Sequence, residues 1–329
     1  MPRARIAGTG RATPDKVLTN DDLSKMVATS DEWIRERTGI GARRILEEGR
    51  TTSDLASEAG RRACETAEID PRDIDCIIVA TISPDMPMPA VAVTVQQKLG
   101  AGTCAAFDIS AACAGFIYGM SIADAFIRGG QFKRVLVIGV EILSRLVDWT
   151  DRNTCVLFGD GAGAALLMPS SGDDGERGIL STHLFADGAG MPFLNIPGGG
   201  SAEPTSAKTV EAKRHFVKMQ GKPVFTHAVK NISSAAKIAL EANGKTPADI
   251  DVVVAHQANL RILEAVAERV AIPLEKFYLN IHKYGNTSSA SIPIALDEAA
   301  REGRVKPNDL VLMAALGAGL SWGSALVRF

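Results

Sequence analysis

Three residues far apart in the chain have the types that acyl transfer needs. They are Cys113 in "DISAACAGFIYGM", His256 in "VVVAHQANLRI" and Asn286 in "HKYGNTSSAS". A cysteine at the start of an apolar helix feels the positive end of the peptide dipoles, which favours the thiolate and lowers its pKa. That makes a soft nucleophile suited to thioesters. A histidine close by exchanges protons or donates a hydrogen bond, and an asparagine amide is a neutral donor to an oxygen turning negative. The same trio would serve a cysteine hydrolase, and a free cysteine among alanines commonly behaves as a small core hydrophobe.

An internal repeat suggests how they meet. "PRDIDCIIVA" (71–80) and "PADIDVVVAH" (247–256) share Pro, Asp, Ile and Asp before a β-branched run, at an offset of 176 (71 to 247). "DAFIRGGQFK" (124–133) matches "DEAAREGRVK" (297–306) at an offset of 173 (124 to 297), and each leads into an apolar strand pattern. The ends also correspond, "GAALLM" (163–168) with "GSALVRF" (323–329). This predicts a duplicated α/β half with its join in "MPSSGDDGERG", giving units 1–174 and 175–329. Val/Ile runs after helices suggest parallel strands buried on both faces, with helices covering the sheets. An offset of 173 carries Cys113 onto Asn286, so the two residues would open the same helix in opposite halves. His256 falls where a strand of the second half ends, and strand carboxyl ends beside helix N-termini are where such sheets bind ligands.

Composition narrows the function classes. With 46% hydrophobic and 22% charged residues, 329 residues can bury a large core. The first residues, "MPRARIAGTG", hold no apolar stretch of signal-peptide length, and charges interrupt the longer apolar runs, so a cytoplasmic protein with no membrane partner is expected. Five cysteines (64, 76, 104, 113, 155) form no CxxC pair, and five histidines no HxH or HExxH, so neither disulfides nor a metal is expected. A net charge of -2 supplies no field for nucleic acid, and any anionic partner must meet a local patch.

The ordered set "TSDEWIRERTGI", "AACAGF", "DRNT", "FGDGAGA", "HQANLRI", "YGNTSSAS" and "SWGSALVRF" closely resembles β-ketoacyl-acyl carrier protein synthase III, the initiating condensing enzyme of the thiolase superfamily, from about residue 3 to Phe329. The resemblance implies an αβαβα five-layered thiolase-like fold and a homodimer. It implies that Cys113 takes an acyl group from acyl-CoA, acetyl-CoA first among candidates. Malonyl-acyl carrier protein then loses carbon dioxide beside His256 and Asn286, and the enolate attacks the acyl-cysteine. Backbone N–H groups of Cys113 and Ala318 would form the oxyanion hole. Acyl-CoA is here a substrate, and no cofactor is implied. Thiolases themselves use a second cysteine where this chain reads "GAGLSWGS", and elongating synthases use two histidines where it has His256 and Asn286.

The resemblance also assigns smaller roles. Trp33 and Arg152 would stack the CoA adenine, Arg37 would lie near its phosphates with Thr38 beside it, and Gly221 and Asn259 would line the pantetheine arm. Without the resemblance, "ATSDEWIRERTGI" reads as a capped, solvated helix face. Arg261 matches an arginine that contacts the acidic carrier protein. Glu264 and Glu268 share its helix and Thr226 replaces a common lysine, which weakens that patch unless Lys230, Lys237 and Arg269 compensate. Met88 stands for a phenylalanine lining the acyl pocket across the dimer, and Leu316 for one that covers the site. "GTGRAT" and "FGDGAGA" resemble phosphate loops but read better as close backbone packing, and His183, His215, His227 and His282 take no role. The altered pocket residues keep open a specialised acyltransferase with an unusual donor or acceptor. A non-catalytic acyl-CoA-binding protein would keep the CoA contacts without needing the trio.

Overall fold

In the computed structural model, which describes residues 2–329, two sheets organise the chain. The first contains Ala4–Ala12 (β1), Cys76–Ala80 (β2), Ala105–Ile109 (β3), Val135–Ile142 (β4) and Asp160–Pro169 (β5), in the order β1-β5-β4-β2-β3. The second contains Gly178–Ala186 (β6), Val252–Ala255 (β7), Leu310–Gly317 (β8) and Ser321–Arg328 (β9), in the order β7-β8-β9-β6. The main helices are Asp31–Thr38 (α1), Thr52–Thr66 (α2), Val91–Leu99 (α3), Gly115–Arg128 (α4), Gly221–Ala242 (α5), Leu260–Val270 (α6) and Ser291–Arg301 (α7).

Period-two alternation along buried strands sorts side chains into layers. Ile77 and Val79 of β2 join Leu136 and Ile138 of β4 beneath α2 and α3, whose Leu55, Ala59, Val95 and Leu99 close that layer. Ile78 and Val137 point the other way, onto Phe116 and Met120 of α4 and Ile292 and Leu296 of α7. Val254, Val311 and Met313 of the second sheet meet the same two helices from beyond. Val253, Leu312 and Ala314 face outward under Ile232 and Leu240 of α5 and Leu263 and Val266 of α6. The result is helix, sheet, helix, sheet, helix. Because α4 and α7 are covered on both sides, the central core draws on both halves of the chain at once.

The duplication is visible in the pairing. β2 runs parallel to β4 as β7 does to β8, and β4–β5 and β8–β9 are both antiparallel. A bridge from Phe277 to Val253 stands where β3 meets β2. Both sheets are therefore mixed, and the expectation of parallel strands holds only for β4–β2–β3 and β7–β8, which run out to one edge of each sheet. Each half returns its chain through an antiparallel hairpin.

The structure also corrects the mate of Cys113. A 3-10 turn at Ala112–Ala114 leads into α4, and one at Ser288–Ala290 leads into α7, an offset of 176 (112 to 288). The first residues of these turns share a left-handed backbone, φ 45° at Ala112 and φ 49° at Ser288. α4 has 14 residues and α7 has 11, so the offset falls to 173 only at the helix ends, Arg128 and Arg301. Ser289, not Asn286, is thus the counterpart of Cys113. Asn286 sits in the loop before the turn.

Candidate active site

Cys113 lies in the turn ahead of α4, 8% exposed, at the end of a cavity of about 480 Å³. Ile82, Leu143, Phe158, Leu194, Ile196 and Val217 give the cavity its apolar wall. Ala318 and Ser288 come from the second half to line the same space. Two glycines allow this close approach. A Cβ on Gly317, the last residue of β8, would collide with the backbone nitrogen of Cys113, and one on Gly139 of β4 would collide with the Ser289 carbonyl. The chain beside Ala318 is thereby pressed against the Cys113 amide. Neither the Cys113 nor the Ala318 N–H is found donating to another residue's carbonyl outside the helices and strands among the described residues, which suits both to an oxygen in the cavity.

Asn286 is pinned by its backbone, donating to the Leu157 carbonyl (2.8 Å) and accepting from Gly159 N–H (3.0 Å). Its Oδ1 accepts from Ser288 N–H (2.9 Å), so the amide NH₂ is the end left to donate. His256 follows β7 directly, is 2% exposed, and donates its backbone N–H to the Ala314 carbonyl (2.9 Å). Neither of these two residues forms the wall of the Cys113 cavity. Asn286 is joined to it through its hydrogen bond with Ser288 and its bridge to Phe158, and His256 through its hydrogen bond to β8, the strand that ends at Gly317.

Burial sets the protonation states. It pushes the Cys113 thiol up to about 12, which overturns the expected thiolate: desolvation outweighs the turn's amide dipoles. It pushes His256 down to about 4, so the imidazole is neutral at physiological pH, and its Nδ1 has no hydrogen-bond partner among the described residues. The resting pair is a thiol and a neutral imidazole, suited to hydrogen-bond donation rather than to holding charge.

Two functional neighbours escaped the sequence reading. Gln257 is buried behind His256: its N–H donates to Ser291 Oγ (2.7 Å), and its amide donates to the carbonyls of Ala255 (3.0 Å) and Tyr278 (3.1 Å). It locks the strand end to α7. Glu141, fully buried in β4, accepts hydrogen bonds from Ser83 and Ser288 and lies beside the Ser289 hydroxyl. The signal for it was present, since a lone acid in "RVLVIGVEIL" must be buried with partners if the run is a central strand.

The outer residues cluster around α1. Trp33 carries two guanidiniums on its ring, Arg152 at 4.7 Å and Arg37 at 4.9 Å from the centroid. Asn259 caps α6 through its Oδ1 on Arg261 N–H (2.9 Å) and ties that helix to α1 through its amide on the Arg37 carbonyl (3.0 Å). Thr38 is buried, its hydroxyl donating to the Ile34 carbonyl (2.6 Å) and accepting from Ile40 N–H (3.0 Å). It therefore serves the helix end, and its polar group is spent. Gly221 is exposed and opens α5, with open space around its Cα. Arg261 is exposed at the start of α6. Leu316 is 5% exposed in the layer beneath α5 and α6 and Met88 is 83% exposed, and neither is among the residues that line the cavity. Among the described residues no group of acids, cysteines and histidines is arranged to hold a metal ion.

Comparisons with known proteins identify the family and the fold. Family models described as 3-oxoacyl-[acyl-carrier-protein] synthase III and its C-terminal part match residues 107–188 and 240–329. A β-ketoacyl-[acyl-carrier-protein] synthase III of Caldanaerobacter subterraneus is 53% identical over 327 residues, covering 99% of this chain and 98% of its own. One from Natranaerobius thermophilus is 50% identical over the full length of both. The crystal structure of 3-oxoacyl-[acyl-carrier-protein] synthase III from Aquifex aeolicus superposes with a TM-score of 0.92 at 47% identity, covering 99% of this chain and 100% of that one. With its cysteine turn, buried histidine and loop asparagine set in two matching halves, this chain belongs to the 3-oxoacyl-[acyl-carrier-protein] synthase III family.

Proposed function

We propose that the protein condenses a short acyl-CoA, acetyl-CoA foremost, with malonyl-acyl carrier protein and so opens fatty acid synthesis. The observation that carries this reading is the apolar cavity that ends on Cys113, where backbone donors from both halves come together. The Cys113 sulfur attacks the acyl carbon, and the carbonyl oxygen turns toward the N–H groups of Cys113 and Ala318. Each such donor is worth about 3 kcal/mol in the transition state. Collapse expels the CoA thiolate and leaves an acyl-cysteine. Malonyl-carrier protein then enters; neutral His256 and the Asn286 amide hold its thioester oxygen while carbon dioxide leaves. The enolate carbon attacks the acyl carbonyl, the C–S bond to Cys113 breaks, and β-ketoacyl-carrier protein departs.

The Trp33, Arg37 and Arg152 cluster supplies the local cationic and aromatic patch that the near-neutral chain needs for a nucleotide. Arg152 lies directly on Trp33, so an adenine stacking between them must part the two. Arg261 at the exposed start of α6 suits an acidic carrier. A second copy of the chain fits along β3, a half-buried edge strand. The exposure of Met88 suits a residue that completes the partner's acyl site. No described helix is long and apolar enough to cross a membrane, in keeping with a cytoplasmic location.

Intact-protein mass spectrometry after exposure to a panel of acyl-CoAs, then to malonyl-carrier protein, tests the reading. Acetyl loading on Cys113, lost in Cys113→Ala and discharged as β-ketoacyl-carrier protein forms, is the expected result. Loading by long or unusual acyl groups alone, or no discharge, would overturn the assignment of substrate. Light scattering of the purified protein checks the dimer.

A further inference from the structure

β4 is apolar except for Glu141, and four hydroxyls surround that acid. Its Oε2 accepts from Ser83 Oγ (2.7 Å), Ile82 N–H (3.1 Å) and Thr81 Oγ1 (3.3 Å), all just beyond β2. Its Oε1 accepts from the Ser288 hydroxyl (3.2 Å), in the turn before α7, and lies 3.2 Å from the Ser289 hydroxyl, whose shorter bond goes to the Ala80 carbonyl (2.8 Å). No lysine, arginine or histidine pairs with it among the described residues. A buried carboxylate without a cation is costly, and a fastening between halves needs only hydrogen bonds, which an amide would supply. What a carboxylate adds is a place for a proton.

Ser288 links that place to the nucleophile. Its hydroxyl lines the cavity with Cys113, the turn that carries it packs against the cysteine turn, and its presence favours the ionised sulfur. We propose that Glu141, acting through the Ser288 hydroxyl, stores the Cys113 proton while the cysteine is acylated and returns it when the cysteine is released. In the first half-reaction the S–H bond breaks as its proton passes to Ser288 Oγ, Ser288 passes its own proton to Glu141 Oε1, and the sulfur electron pair forms the C–S bond. The expelled CoA thiolate takes its proton from solvent. In the second half-reaction the C–S bond breaks, its electron pair returns to the sulfur, and the proton travels back from Glu141 through Ser288. Glu141 touches no substrate atom and is a positioning residue.

The electrostatics fit this loan. Burial raises the Glu141 carboxyl to about 7, so near neutral pH it exists in both forms. Ionised Glu141 opposes the Cys113 thiolate, and that repulsion vanishes when the proton moves onto the carboxylate. The remaining ionisable group beside this strand end is Asp160 of β5, whose oxygens are committed to Leu46 N–H and to the N–H and hydroxyl of Ser144. His256 is neutral and makes no hydrogen bond to Cys113.

The inference rests on Cys113 being the acylated nucleophile, so the test separates the two. Rates of acetylation by acetyl-CoA and of alkylation by iodoacetamide are followed from pH 5.5 to 9 by intact mass, for the full chain and for Glu141→Gln and Ser288→Ala. Wild-type rates should rise through an inflection near 7 in both reactions. Both variants should lose that inflection and load about 100-fold more slowly at pH 7.5, the scale of positioned proton transfer. If Glu141→Gln fails to fold, Ser288→Ala, which keeps the carboxylate, carries the test. Folded variants that keep the inflection, or that lose rate at every pH with the inflection in place, would overturn the relay. Wild-type protein that alkylates with the inflection but never acylates would sink the nucleophile reading and, with it, the loan during acylation, whereas acylation without the inflection would sink the relay alone.

Discussion

Gly317→Ala probes the contact on which the oxyanion site depends. The added Cβ would collide with the Cys113 nitrogen and lie 3.0 Å from the Ala112 Cβ and 3.2 Å from the Ala111 carbonyl oxygen. No neighbour is the tip of a flexible side chain, so the end of β8 and the Ala112–Ala114 turn must separate by several tenths of an ångström. Overpacking of this kind costs about 1–3 kcal/mol, a fall of a few degrees in Tm for a chain of this size. The same separation pulls the Ala318 N–H away from the oxygen it would share with Cys113. Losing one such donor costs about 3 kcal/mol, or roughly 100-fold in rate. The assay is the burst of CoA released in the first turnover with acetyl-CoA, read beside the Tm, with Gly172→Ala as a control because its Cβ meets open space. Expected are a burst about 100-fold slower and a lowered Tm. A wild-type burst from a destabilised protein would refute the view that this contact positions the oxyanion site.

Other outcomes follow from the same coordinates. His256→Ala should keep acyl loading by mass and lose β-ketoacyl product, because the neutral imidazole is needed only when malonyl-carrier protein reacts. His256 also makes a stability prediction. Its pKa is depressed from 6.5 to about 4, so the unfolded chain binds the extra proton first. The stability from this residue is present above 6.5 and is lost as pH falls toward 4, and thermal melts should show His256→Gln less sensitive than wild type across that window. Glu141 runs the other way: its raised pKa means stability present below 4.5 and lost as pH rises to about 7, so the Tm of Glu141→Gln should gain on wild type across that range. Trp33→Ala should raise the KM for acyl-CoA about tenfold with kcat and the carrier KM unchanged, the worth of one stacked base. Arg261→Glu should raise the KM for malonyl-carrier protein, most at low salt, and leave acyl loading from CoA intact.

How much of this was legible beforehand depends on the range of the interactions involved. Local pattern determined the strands and helices, because the unbroken apolar run in "CIIVA" and helical spacing in "SDLASEAGRRACET" are properties of short segments. The repeat, read as matching order along one line, foretold two equivalent sheets, and residue type singled out Cys113, His256 and Asn286. Alignment by offset then failed at the helix starts, since three residues fewer in α7 than in α4 can be placed only when both turns are seen in space. The protonation state of Cys113 reversed for a related reason. A helix start is a local feature that argues for thiolate, whereas desolvation depends on everything packed around the sulfur, and here it keeps the thiol protonated and the imidazole neutral. Glu141 and Gln257 gain their roles from hydrogen bonds across 147 and 34 residues of chain, which no spacing rule reports. What the sequence determined is the set of elements and the chemical types available. Tertiary structure alone decided which of them face one another, because burial and long-range contact are sums over the whole fold.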